Sequence, residues 1–198
     1  MDTSRRNLLR HGAGVVTGIA ITGCSVLDVA RSQADPTTTV ENYSPPGPIV
    51  LDGRRVRSVD VHAHCYVSEA LALLTASDVK AIMPPVKGVP EHFIVVGERL
   101  AAMDAMRIDT EILSINPFWY RREREITERI VRINNEKLAE LCAVNPQRLG
   151  AFASLPMQFP ELAVRELEYA VTKLGLRGAA IGGSVAGVDF SDPQFEPI

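Results

Sequence analysis

The chain has 198 residues, of which 46% are hydrophobic and 23% charged, and a formal net charge of −3, which fits one globular domain behind an N-terminal extension. That charge, with the one basic cluster Arg121-Arg122-Glu123-Arg124 already interrupted by acid, argues against a surface that tracks a nucleic-acid backbone. The 3 cysteines, Cys24, Cys65 and Cys142, make no disulfide framework.

In chain order, Ser4-Arg5-Arg6-Asn7-Leu8-Leu9-Arg10 resembles the bacterial twin-arginine export signal. The weakly apolar run from Gly12 to Leu27 is broken by glycines and threonines and falls short of the roughly 20 apolar residues that span a bilayer. Residues 1–34 are therefore expected to be a signal peptide. Two processing sites stay open: Ile21-Thr22-Gly23-Cys24 resembles a lipobox, with Cys24 the acylated residue, and Ser32-Gln33-Ala34 fits ordinary cleavage. The expected destination is the periplasm, or its membrane surface through a lipid anchor at Cys24. Residues 35–56, with Pro45-Pro46-Gly47-Pro48 and no helical period, read as an extended tether.

Arg57 to His64 reads as a short buried strand. Side chains alternate across a strand, so His62 and His64 share a face with Asp60. Two imidazoles on one face can hold one divalent ion at about 2.0 to 2.1 Å. Catalytic zinc takes three protein ligands, and only His11 and His92 remain as imidazoles. His92 falls in an irregular insertion as a solvated or pocket-lining side chain. Cys65 points to the opposite face, and Cys142 suits a buried helix position.

After a short helix within Val67–Leu74 and a proline-rich loop through Pro90, helical spacing predicts a helix over Glu98–Met106. Thr110–Ile115 is the second strand, and Ile126 to Cys142 a long amphipathic helix stopped at Asn145-Pro146. Leu149–Leu155 is the third strand, Pro160–Leu174 a helix capped by Gly175, and Leu176–Ile181 the fourth strand. Strand and helix in this alternation predict a parallel α/β sheet. Ligands then collect at the carboxyl ends of the strands. Trp119, Tyr120 and Arg121, after the second strand, are candidates to stack an aromatic ring and hold its carboxylate; the competing reading is a packed loop with solvated arginines.

The Asp60-x-His62-x-His64 strand, Leu155-Pro156-Met157-Gln158, and the tail with Asp192-Pro193-x-Phe195-x-Pro197 together resemble the amidohydrolase superfamily, in its amidohydrolase-related branch with aminocarboxymuconate-semialdehyde decarboxylase. The likeness covers residues 57–198. It implies the front half, about four β/α units, of a TIM-type (β/α)8 metal-dependent barrel. It also implies His62 and His64 as metal ligands, with Asp60 an orienting partner rather than a ligand. The later-strand histidines and the catalytic aspartate of that family have no counterpart here, so the catalytic acid is unassigned.

The expected function is a metal-dependent decarboxylase or hydrolase of an aromatic or unsaturated carboxylic acid, with zinc the default ion and manganese or iron acceptable. Two readings compete with it. One is a truncated, inactive metal-binding fragment that depends on a second copy or a completing chain; the other is a His pair that is structural only.

Overall fold

The Asp52-Gly53 dipeptide turns the chain back on itself with positive φ at both residues, 49° and 74°, the backbone that a two-residue type I′ hairpin demands. It joins β1 (Val50–Leu51) to β2 (Arg54–Arg55) in an antiparallel pair. The end of the segment expected to be an extended tether is thus a hairpin. The computed structural model describes residues 47–82 and 96–198. The signal segment, Cys24, most of the tether and His92 lie outside the described residues. No helix among the described residues is long and apolar enough to cross a membrane.

β3 (Val59–His64), β4 (Thr110–Ser114) and β5 (Leu149–Ala151) form a parallel sheet in that order. β6 (Ala153–Ser154) pairs in parallel with β7 (Ala179–Ala180). The expected third strand is thereby divided at Phe152. Its N–H still donates to Leu113 of β4 (2.9 Å), while Ala153 donates to the carbonyl of Gly178 (2.7 Å). β3, β4, β5 with β6, and β7 therefore follow one another in parallel, in two ladders that meet at Phe152. The fourth is shorter than the sequence suggests, because only Ala179 and Ala180 keep ladder geometry.

The helices are α1 (Ser68–Leu71), α2 (Ala76–Ile82), α3 (Val96–Met106), α4 (Arg124–Val144) and α5 (Pro160–Thr172). α2 occupies part of the span read as irregular. Ile130, Val131, Asn134 and Leu138 recur at three- and four-residue spacing and are buried, so α4 presents one stripe to the sheet. α5 starts at Pro160, whose missing N–H costs nothing in a first turn. Gly175 follows it with φ of 72°, and Asp192 caps the 3-10 turn Pro193–Phe195 by accepting from Gln194 N–H at 3.0 Å.

The core joins Leu113, Ile115 and Trp119 to Ile130, Leu138, Leu155 and Met157. At the two ends of the sheet the pattern changes. Val59 and Val61 of β3 are 52% and 61% exposed, and Ile181 just past β7 is 51% exposed. Among the described residues no strand pairs with the outer edge of either.

Candidate metal centre at the end of the first parallel strand

The pairing of β3 with β4 runs in register from Val59↔Thr110 to Asp60↔Glu111, then shifts to Ala63↔Leu113 and His64↔Ser114. One extra residue is taken up on β3, a bulge of the kind that re-aims side chains. Asp60 stabilises it: its Oδ1 accepts the main-chain N–H of His62 at 2.8 Å. The carboxylate thus orients the strand at the first histidine rather than either imidazole ring.

Beyond the bulge the two rings converge. His62 Nε2 and His64 Nε2 lie 2.9 Å apart, with the rings edge to face at 4.5 Å. Two nitrogens at that separation can both reach one ion at about 2.1 Å. His64 is partly buried. Burial first, then the neighbouring His62, pushes its pKa down, with the Ser114 main chain and Asp60 opposing; the net effect favours the neutral imidazole a metal requires. The donor set therefore fits a divalent ion. Among the described residues no cluster of three His, Cys, Asp or Glu could hold one, and the two imidazoles alone could fill two positions of a coordination shell.

Two residues of β4 that the sequence reading passed over attend this pair. Ser114 Oγ lies 3.1 Å from His64 Nδ1. Glu111, 5% exposed, takes Nη1 of Arg99 at 2.6 Å, and Nη2 of the same arginine donates to the His64 carbonyl at 2.9 Å. Neither Ser114 nor Arg99 carries a sequence signal toward the site: Ser114 meets His64 through a register shifted by the bulge, and Arg99 comes from a helix. Cys65 points away, with Sγ against the Ser114 carbonyl at 3.6 Å, and burial pushes its thiol up to about 12.

The candidate substrate residues separate into two groups. Trp119 is fully buried and donates Nε1–H to the Leu155 carbonyl at 2.8 Å. This corrects the expectation that Trp119 stacks on a substrate: aromatic area at this position is consumed by the core. Gln158 returns the contact by donating to the Trp119 carbonyl at 2.8 Å, so Leu155-Pro156-Met157-Gln158 clamps the loop after β4. Tyr120 is 7% exposed, and its hydroxyl accepts Gly182 N–H at 3.3 Å. A Cβ at Gly182 would meet Pro117 at 3.2 Å and Tyr120 at 3.3 Å, which explains the glycine. Arg121 is exposed and, with Phe118, Tyr120, Arg122 and Ser184, lines an open cleft of about 420 Å³. Arg122 is engaged with Asp78 at 2.8 Å.

A family model described as amidohydrolase matches residues 59–198. A gamma-resorcylate decarboxylase of Rhizobium radiobacter is 44% identical over 108 residues, 50% of this chain and 33% of that protein. A solved 2,6-dihydroxybenzoate decarboxylase, complexed with 2,6-dihydroxybenzoate, superposes with a TM-score of 0.58 at 31% identity, over 71% of this chain and 45% of that one. A dihydroxybenzoic acid decarboxylase from Polaromonas sp. JS666, solved with bound manganese and the inhibitor 2-nitroresorcinol, gives 0.57 at 29% identity, over 71% and 44%. The chain thus spans about a third of the curated relative and under half of the solved ones. Since the family match takes in every parallel strand and the converging histidine pair, the chain belongs to the amidohydrolase family.

Proposed function

We propose that residues 57–198 form the front half of a (β/α)8 barrel whose full assembly is a metal-dependent decarboxylase of an aromatic carboxylic acid. The observation that carries this reading is the convergence of His62 and His64 at the carboxyl end of the first of four parallel strands. The decarboxylases among its relatives favour decarboxylation over hydrolysis. Eight strands close such a barrel, and the unpaired edges of β3 and β7 are where the further strands would join.

In this reading His62 and His64 hold the ion, Asp60 fixes the bulge that aims them, and Arg121 with the cleft wall at Tyr120 receives the carboxylate of the acid. Bound there, a divalent ion supplies Lewis acidity toward substrate oxygens. Loss of carbon dioxide leaves an electron pair on the ring carbon, which then takes up a proton; the group that delivers it is unassigned among the described residues. Zinc was the default from the ligand type. The manganese bound in the Polaromonas structure favours manganese over zinc. Export by the twin-arginine route, with or without acylation of Cys24, is part of the proposal and rests on the sequence motif.

The test is metal analysis and carbon dioxide release on the protein isolated from its own cells, with 2,6-dihydroxybenzoate as the first substrate. A bound divalent ion lost in the His62→Ala, His64→Ala double variant, together with turnover, supports the reading. Metal without turnover favours an inactive metal-binding fragment. Metal content unaffected by the double substitution would leave the histidine pair a structural feature only.

A further inference from the structure

We propose that Asp78 sets the specificity of the cleft after β4: by engaging Arg122 it leaves Arg121 as the guanidinium free to hold an anion, so that the cleft takes an acid with one carboxylate over an acid with two. The inference rests on the reading of Arg121 as the carboxylate receptor, and goes beyond it by naming the class of acid.

Two neighbouring arginines line the cleft and are used differently. The turn Trp119–Arg122 closes with Arg122 N–H donating to the Trp119 carbonyl at 2.9 Å, and the Arg122 carbonyl accepts Thr127 Oγ1 at 3.2 Å. A main chain pinned in this way fixes where each side chain leaves it: Tyr120 is buried and Arg121 is exposed. Arg121 makes no hydrogen bond or ion pair among the described residues. Arg122 Nη2 instead reaches Asp78 Oδ1 at 2.8 Å, with both side chains 30% exposed. Asp78 is itself held, because Thr75 Oγ1 donates to its Oδ2 at 2.8 Å and accepts its main-chain N–H at 3.2 Å. That cap fixes the carboxylate at the first turn of α2 independently of Arg122.

Charge then decides what fits. Arg121 and Arg122 are the charged residues among those that line the cleft. One carboxylate meets Arg121 and matches its charge, and Phe118 offers the ring an aromatic neighbour. A second carboxylate would find Arg122 already paired, and its approach sets two carboxylates against one guanidinium. The facing wall is the turn Ala186-Gly187, with φ of 53° and 95°, closed by reciprocal main-chain bonds of 2.9 Å between Val185 and Val188. A left-handed alanine is strained, and strain of this kind collects at ligand sites.

The experiment titrates benzoate and benzene-1,3-dicarboxylate separately into the metal-free 198-residue chain and follows the resonances of the 119–122 turn by NMR. Without metal, no carboxylate–metal bond contributes to either affinity. The unsubstituted chain should bind the dicarboxylate no more tightly than benzoate. Asp78→Asn keeps the shape of the pair and the helix cap, and should shift the ratio of the two affinities toward the dicarboxylate by about 3- to 5-fold. Adding Arg122→Gln to that variant should return the ratio to its original value. An unchanged ratio in a folded Asp78→Asn chain, or a preference for the dicarboxylate already present in the unsubstituted one, would overturn the proposal while leaving the reading of Arg121 in place. Arg121→Gln should weaken both acids. If it weakens neither, or if the chain binds neither acid, Arg121 is not the receptor and the proposal falls with that reading.

Discussion

Asn135 and Ser154 bind each other as adjacent strands do: Asn135 Nδ2 donates to the Ser154 carbonyl at 3.0 Å, and its Oδ1 accepts the Ser154 N–H at 2.7 Å. A helix side chain thereby completes the main-chain pairing of β6. The same Nδ2 donates to Glu166 at 2.9 Å, and Glu166 also takes Arg132 at 2.7 Å. One asparagine fastens α4 to β6 and α5. Asn135→Ala would leave a strand N–H, a carbonyl and a carboxylate short of partners in a buried place, at a cost of about 3 kcal/mol. Urea unfolding followed by circular dichroism measures it.

The preceding residue has the opposite sign. Asn134 is fully buried, and neither its Nδ2 nor its Oδ1 has a hydrogen-bond partner among the described residues. Burying an unpaired amide is unfavourable, so Asn134→Leu, near-isosteric and apolar, should raise stability by about 1 to 2 kcal/mol. A loss of stability on the same urea scale would show that the amide makes a contact the fold depends on.

Much of this arrangement is legible in the sequence, and the exceptions have physical causes. The α4 and α5 stripes are periodic because each helix buries one face, so Ile130 and Leu162 could be placed without coordinates. The Asp60-x-His62-x-His64 alternation put both rings on one face. The bulge that brings the Nε2 atoms together is a register property between two strands, and neither strand carries it alone. Trp119 stays ambiguous in sequence because an aromatic beside arginines suits a binding wall and a core equally, and the Leu155 carbonyl it bonds is distant in sequence. Asp52-Gly53 was readable as a hairpin turn, but the prolines before it pulled the segment toward an extended reading. The Arg99 bridge depends on where α3 packs, which local pattern does not encode.

Gly150 offers a test of packing between β4 and β5. A Cβ there would stand 2.9 Å from Ile112 Cδ1, its register partner's side-chain tip. Gly150→Ala should therefore destabilise the chain by about 1 to 2 kcal/mol through overpacking. Ile112→Val removes that methyl. The double variant should recover most of the loss, a coupling that independent sites would not show. Additive losses in the double-mutant cycle would mean the two residues do not meet.

The loop that carries Arg121 is also held by a pH-dependent contact. Arg122 reaches Asp78 at 2.8 Å, and Thr75 Oγ1 donates to the same carboxylate at 2.8 Å. The Arg122 bond, then the Thr75 bond, draws the Asp78 pKa from its ordinary value of 3.8 down to about 2. A carboxyl depressed on folding stabilises the fold when ionised. Its contribution is complete above 3.8 and is lost as pH falls through 2, because the unfolded chain then binds the proton first. The pair is accessible to solvent, so its contribution is small and shrinks as salt is added. Stability measured from pH 5 to pH 2 should fall less steeply in Asp78→Asn than in the unsubstituted chain, and the difference should narrow at high ionic strength. Identical acid limbs for the two proteins would show that the Arg122 contact does not tie α2 to the loop in solution.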